Sequence, residues 1–215
     1  MTQNNFYFWA LEPEKSFYDL VLKKKGSIAQ AIGEQPYCED LPHTTLYLSA
    51  FSNELMLQEK TKKAAITIKS IINVETNGWH VFYADPLTGN NTLVIDLMRE
   101  SVNKLIKIQK LIVNDLHEDR NRELSLSRYS PMFNDFDKTK RHNAITYGFP
   151  YIGNIWHPHI TIASISVDLW EIAWKILYDS KIPNSFSYST LALYRLEGLL
   201  PILVQSFDLS PENYE

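Results

Sequence analysis

Two short strings hold the residues whose types and spacing could do chemistry: His43-Thr44-Thr45-Leu46 and, 116 residues later, His159-Ile160-Thr161-Ile162. Each is a histidine, any residue, a threonine and an aliphatic residue. Imidazole has an unperturbed pKa near 6.5, so at neutral pH one ring can act as a base while another acts as an acid. Threonine hydroxyls can donate hydrogen bonds to oxygens that gain negative charge. Two imidazoles around one small anion, each beside a hydroxyl, meet the needs of phosphodiester cleavage. They supply a proton acceptor for the nucleophile, a proton donor for the leaving oxygen and donors for the non-bridging oxygens. Among six histidines, two such hits arise by chance in roughly one sequence in twenty. The pair therefore gains weight only from its setting.

The elements around the two strings must position them. Both lie in runs rich in β-branched and aliphatic residues, as strands are. Side chains alternate faces along a strand, so His43, Thr45 and Tyr47 are expected on one face, with Thr44, Leu46 and Leu48 on the other. In the second copy His159, Thr161 and Ala163 are expected opposite Ile160, Ile162 and Ser164. Proline, which suits the first residue of a strand, precedes both histidines as Pro42 and Pro158. Apolar spacing predicts an opening strand from Asn5 to Leu11 and a helix over Glu14–Ala31. A long helix capped by Ser52 or Asn53 runs to about Ile71, followed by strands over Val74–Ala84 and Thr92–Leu97 around a turn. A helix over Ser101–Leu116 follows. After the second histidine strand come a helix over Val167–Ser180, with Trp170 and Trp174 as core residues, and strands over Tyr188–Leu196 and Leu203–Leu209. Each half thus orders helix, histidine strand, helix, strand, turn, strand. Helices among mostly antiparallel strands give an α+β class.

The bulk numbers exclude some function classes. At 215 residues and 25.0 kDa, with 45% hydrophobic and 21% charged residues, the chain has length for one domain with a full core. A net charge of −4 argues against long nucleic acid as an obligate partner but leaves small anions open. No apolar run approaches the roughly 20 residues of a membrane span, and Met1–Ala10 lacks the pattern of a secretory signal. Cys38 is the single cysteine, which fits a reducing, cytoplasmic setting. One stretch breaks the pattern. From His117 to Trp156 the chain is polar, with charges and scattered aromatics, and is long for a plain connection. Such segments are lids, binding loops or disordered insertions. Candidate stacking or lid residues around the motifs are Tyr47, Tyr151, Trp156, Arg128 and Arg141. His157 with His159 forms a His-x-His pair that could bind zinc with a third ligand such as His43. No Cys cluster or His-Glu-x-x-His helix accompanies it, and no metal is expected.

The paired motifs resemble those of the two-histidine (2H) phosphoesterase superfamily, which includes the RNA 2′,3′-cyclic phosphodiesterases often labelled 2′-5′ RNA ligases. The settings Leu41-Pro42-His43-Thr44-Thr45-Leu46 and His157-Pro158-His159-Ile160-Thr161-Ile162-Ala163, and the closing strand around Leu191-Ala192-Leu193-Tyr194, are similar to the superfamily's. The resemblance implies a bilobal α+β fold of two pseudo-symmetric lobes, each with an antiparallel sheet and flanking helices, and an active groove between them. Residues 1–215 would form one such domain carrying the insertion at about 117–156. It implies a metal-independent phosphodiesterase without cofactor, acting on a small cyclic or 2′-linked nucleotide or RNA end, with no membrane and no obligate protein partner. His43 and His159 would be catalytic, His159 activating water and His43 protonating the leaving oxygen, and Thr45 and Thr161 would bind the phosphate. The alternative is a non-catalytic nucleotide or RNA-end binding module on the same fold. Two departures matter. The RNA-end-processing branch often carries an arginine after the second motif, where this chain has Ser164 and no basic residue until Lys175. The long insertion is the other.

Overall fold

The computed structural model describes residues 5–178, 180–198 and 200–210. The reading of Met1–Ala10 falls in part outside them, as does the predicted helix where it crosses Asp179. Seven strands and six α-helices follow one another among these residues: β1 (Asn5–Pro13), α1 (Lys15–Ile32), β2 (Thr44–Phe51), α2 (Glu54–Ile68), β3 (Ile72–Phe82), β4 (Asn91–Leu97), α3 (Arg99–Leu116), α4 (Arg122–Ser127), α5 (Lys138–Tyr147), β5 (Ile160–Ile165), α6 (Trp170–Tyr178), β6 (Ser185–Glu197) and β7 (Leu200–Asp208). Local chemistry sets several boundaries. The Asn53 side chain accepts from the Met56 amide at the start of α2, the capping bond expected of asparagine at that position. Asn121 and Asp137 cap α4 and α5 in the same way. The predicted strand ends and helix starts fall within a few residues of those observed, as fraying ends allow.

All strand pairs are antiparallel, and the α+β expectation holds. The strands form one seven-stranded sheet in the order β2-β1-β6-β3-β4-β5, with β7 also on β6, rather than two separate sheets. The reason is the length of β6. One of its edges pairs with β1, while the other is shared by β3 at Ser185–Tyr188 and β7 at Thr190–Glu197. The order reads the same from either end when β1, β2 and β3 are exchanged for β4, β5 and β6. The helices obey the same exchange: α1 packs on α6 and β5, and α3 packs on α2 and β2. The repeat of element order in the sequence is therefore also a repeat of packing.

One face of the sheet is covered by helices. Trp9, Leu11, Leu93, Ile95, Leu191 and Leu193 pack there with Val21, Leu57, Leu105, Ile112 and Leu177. The opposite face carries a small cluster made of strand residues alone, Phe8, Ala10, Ala192 and Tyr194, flanked by Leu48 and Leu196. Trp170 and Trp174 differ from expectation. They stack on each other at 6.0 Å but are half-buried, and Ala173 and Leu177 are the buried positions of α6. No helix among the described residues is long and apolar enough to cross a membrane.

The 117–156 stretch is a folded layer, not a bare loop. Tyr129, Phe136, Ala144, Phe149 and Trp156 join the main core. Ser125 bonds to Ser49 of β2 at 2.7 Å, and the Asn121 amide donates to the Ala50 carbonyl at 2.8 Å. The buried Arg120 guanidinium ties the stretch together by donating to the carbonyls of His117 and Ile145. Gly148 ends α5 at a φ of 74°. A Cβ there would stand 2.6 Å from Ser49 Oγ and 2.8 Å from Arg120 Cδ, so only glycine fits both the left-handed backbone and the space.

Candidate active site

His43 and His159 stand one residue before β2 and β5 rather than inside them. In both copies the ring Nδ1 lies 2.7 Å from the carbonyl two residues earlier, that of Leu41 for His43 and of His157 for His159. A carbonyl only accepts, so Nδ1 carries the proton in each neutral ring and Nε2 presents its lone pair. The intervening prolines fix φ and have no N–H to compete for that carbonyl. Each ring also packs on the helix-free face. His43 lies 5.3 Å from Phe8 and 6.4 Å from Tyr194, while His159 meets Phe82 edge-on at 5.1 Å.

A bulge in each motif then redirects the strand. In β2 the pairing with β1 slips between Trp9 and Ala10, so Tyr47 opposes Trp9 while Thr45 opposes Ala10, and Leu46 is the extra residue. In β5 the pairing with β4 slips between Leu93 and Val94, so Ala163 opposes Leu93 while Thr161 opposes Val94, and Ile162 is the extra residue. A bulge residue opposes nothing and shifts the alternation that follows. The face assignment of Tyr47 is thereby corrected. It turns into the helix-side core with no exposed surface, stacks on Trp9 at 5.8 Å, and donates from its hydroxyl to the Tyr147 carbonyl. Thr45 and Thr161 stay on the helix-free face, half-buried, and neither hydroxyl has a partner among the described residues.

The two motifs touch. Thr44 Oγ1 donates to the His159 carbonyl at 2.8 Å and lies 2.6 Å from the Tyr188 hydroxyl. A hydroxyl has one proton, so with Thr44 donating to the carbonyl, Tyr188 is the donor to Thr44. This chain, Tyr188–Thr44–His159, is buried at Tyr188 and Thr44 and half-buried at His159, and it joins the starts of the two outermost strands in the order. The sheet therefore curls until its edges meet at the histidines.

Burial acts on both rings. Burial pushes the His159 pKa down to about 4; its backbone bond to His157 raises it, and the nearby His157 and His43 charges lower it further. Burial also lowers His43, against the Leu41 bond and Asp40, which raise it, and with Lys25 lowering it again. Lys25 is itself buried, its ammonium donating to the Tyr37 carbonyl in the loop that leads to His43. Desolvation brings its pKa down to about 8.

The remaining candidates sort differently. Trp156 is 7% exposed and belongs to the core, so it is not a platform for a ligand. Tyr151 is half-buried, edge-on to Phe149 at 5.6 Å, with the Lys140 ammonium 5.8 Å from its ring. Arg141 is exposed and donates to the Asn134 carbonyl of its own layer. Arg128 is the one insertion cation set on the helix-free face among these candidates, 5.2 Å over the ring of Phe6, two residues from Phe8. Ser164 is buried, bonded to Thr88 and Thr92 at 2.6 and 2.9 Å. His157 bonds Asp96 at 2.8 Å, and no group of three His, Cys, Asp or Glu among the described residues is placed to share a metal ion. Sequence reasoning missed Phe8, Phe82, His80, Asp96 and Tyr188. Alternation along β1 and β4 could have flagged Phe8 and Asp96, but which strands neighbour the motifs is not a local property.

No family profile matches this chain, and no curated protein sequence does either. Solved structures do. TT0787 of Thermus thermophilus superposes with a TM-score of 0.56 at 14% identity, covering 96% of this chain and 99% of that one. Apo E. coli LigT gives 0.53 at 12% identity over 97% and 99%. E. coli LigT complexed with phosphate gives 0.50 at 12% identity over the same shares. These are 2H phosphoesterase superfamily members. The fold is that of E. coli LigT and T. thermophilus TT0787. At such identity the likeness concerns the course of the chain, and the case for chemistry rests on the site.

Proposed function

We propose that this chain is a phosphodiesterase that hydrolyses a cyclic or 2′-linked nucleotide phosphodiester by paired-histidine acid–base catalysis, needing no metal for either proton transfer. The observation that carries the reading is the matched pair of imidazoles. Both are anchored through Nδ1 in the same way, both face the helix-free side with Nε2 unbonded among the described residues, and both stand where the sheet edges meet. The superfamily of the like-folded structures supports the coarse reaction class. LigT has been crystallised with phosphate, the anion such a site would hold.

His159, brought down to about 4 by burial, is neutral near pH 7 and takes the proton from the attacking water at Nε2. The pair's single proton resides on His43, favoured by the bound phosphodiester's negative charge. As water oxygen bonds to phosphorus and the bond to the 2′- or 3′-oxygen breaks, His43 delivers its Nε2 proton to that oxygen. Thr45 and Thr161 donate to the non-bridging oxygens as their charge grows. Arg128 over Phe6 lines the approach. Residues 1–215 act as one bilobal unit in this proposal, with the groove between its halves and a cytoplasmic pool of small nucleotides or RNA ends as substrate.

The test is a screen of 2′,3′-cyclic and other cyclic or 2′-linked nucleotides in excess EDTA, with products identified by mass spectrometry. Turnover that persists in EDTA and collapses in both His43→Ala and His159→Ala supports the mechanism. Full activity in both variants refutes it. Tight nucleotide binding without turnover would turn the reading to a binding module, and loss of activity in EDTA restored by zinc to a metallohydrolase.

A further inference from the structure

The two half-sites share one device and differ in what stands behind it. Each histidine gives its Nδ1 proton to the carbonyl two residues earlier. Behind His43 that residue is Leu41, an aliphatic residue 39% exposed. Behind His159 it is His157, whose own ring is held. His157 Nε2 lies 2.8 Å from Asp96 Oδ1. That carboxylate is in turn fixed on both oxygens. Oδ1 also accepts the Leu97 amide at 2.8 Å, and Oδ2 accepts from Asn77 Nδ2 of β3 at 3.0 Å. Burial alone would raise the Asp96 pKa, but these bonds and the His157 ring hold it below its ordinary value. The His157 ring further packs at 4.8 Å on His80 and at 5.1 Å on Phe82, and Phe82 is the residue that meets His159.

Strand pairing between β4 and β5 already seats the backbone that follows His159, so the three-sided clamp on His157 is not needed to hold the strand. What a fixed His157 does is fix the carbonyl that orients His159, and set a second imidazole 6.1 Å from it. We propose that Asp96 and His157 form a positioning pair for His159: the carboxylate holds the His157 ring, and the His157 carbonyl holds His159 in its Nδ1–H tautomer with Nε2 toward the groove. The His157 ring, 6.1 Å away, also opposes a positive charge on His159. The inference rests on the reading of His159 as the base, but its effect on His159 can be observed without turnover. The ionisable groups that bear on His159 are His157 on the same segment, Asp96 from β4 and His43 from the start of β2. His80 of β3 stands behind His157.

The experiment is 15N NMR of the imidazoles in the wild-type chain, His157→Gln and Asp96→Asn, titrated with pH. His157→Gln keeps the backbone carbonyl and removes the ring. The His159 midpoint should rise in it by roughly half a pH unit or more, as Coulomb's law gives for a charge near 6 Å in a wet site. Asp96→Asn releases the ring, so the His159 nitrogen shifts should move toward a mixture of tautomers. If turnover is found, its kcat should fall about tenfold with KM unchanged. In both variants His43 should move less than His159, a difference a purely structural role would not produce. An unchanged His159 midpoint and tautomer in both variants overturns the proposal, as does an equal change at His43. If one variant does not fold, the other decides alone. Because the NMR readout needs no substrate, a failed activity screen would count against the proposed function and leave the positioning pair to stand or fall on the titration.

Discussion

Replacing Thr44 by Val tests the joint between the two motifs. Valine keeps the volume and removes only the hydroxyl, so no cavity forms. The hydroxyl makes two bonds, to the Tyr188 phenol at 2.6 Å and to the His159 carbonyl at 2.8 Å. Tyr188 has no exposed surface and Thr44 is 1% exposed, so water cannot replace the partner of the phenol, whereas the His159 carbonyl is half-buried. A buried group left without its partner costs about 1–3 kcal/mol. With the phenol stranded and the bond to the carbonyl lost, Thr44→Val should cost about 2–4 kcal/mol. In a chain of this size that lowers Tm by roughly 5–15 °C. Tyr188→Phe removes only the outer donor and leaves Thr44 free to donate to His159, so it should cost about 1 kcal/mol. The double variant should be less destabilised than the sum, by about 1 kcal/mol, because no phenol is then stranded. Urea unfolding at constant m gives all three values. Additivity within error, or a Thr44→Val variant within about 0.5 kcal/mol of wild type, would show that the motifs are not joined through this chain.

Loss of either imidazole, in His43→Ala or His159→Ala, should reduce kcat about 10²–10⁴-fold, and the double variant should lose less than the product of the two, as measured by steady-state kinetics in EDTA. With His159 held near pH 4, the acid limb of kcat/KM should lie well below the ordinary histidine value; a limb at pH 6.5 or above would contradict its burial. The same shift bears on stability. Between pH 6.5 and about 4 the unfolded chain binds a proton that folded His159 refuses, so denaturant midpoints should fall as pH drops through that window. Lys25 acts at the other end. Its folded pKa near 8 lies below the unfolded value, so protonated Lys25 weakens the fold at neutral pH, and Lys25→Met should gain stability relative to wild type at pH 7 by a margin that shrinks above pH 8; a margin that is flat with pH would count against it. Gly148→Ala should cost about 2 kcal/mol or more, from left-handed backbone strain plus overlap with Ser49 and Arg120, and thermal melting would reveal it.

Element order, the α+β class and the pair of histidines with their threonines are legible in the bare chain, because all are properties of short windows. Apolar periodicity marks α1, α3 and the strands because burial acts on the nearest neighbours along the chain, and His-x-Thr is recognisable within four residues. The duplicated order that the sheet repeats under exchange of its halves is legible for the same reason. Alternation failed at Tyr47 because one bulge residue, Leu46, turns everything after it, and a bulge is set by the partner strand. Trp156 and Tyr47 have the composition of a base-stacking platform, and only packing into the main core, where Tyr47 meets Trp9 and Phe149, removes them from the surface. It takes the folded chain to bring Thr44 onto His159, to set Tyr188 behind them, and to gather Asp96 and His80 around His157. Those contacts join residues 60 or more positions apart in sequence. Their distances depend on the pairing of strands that lie far apart in the sequence, and on the bond that brings the starts of β2 and β5 together.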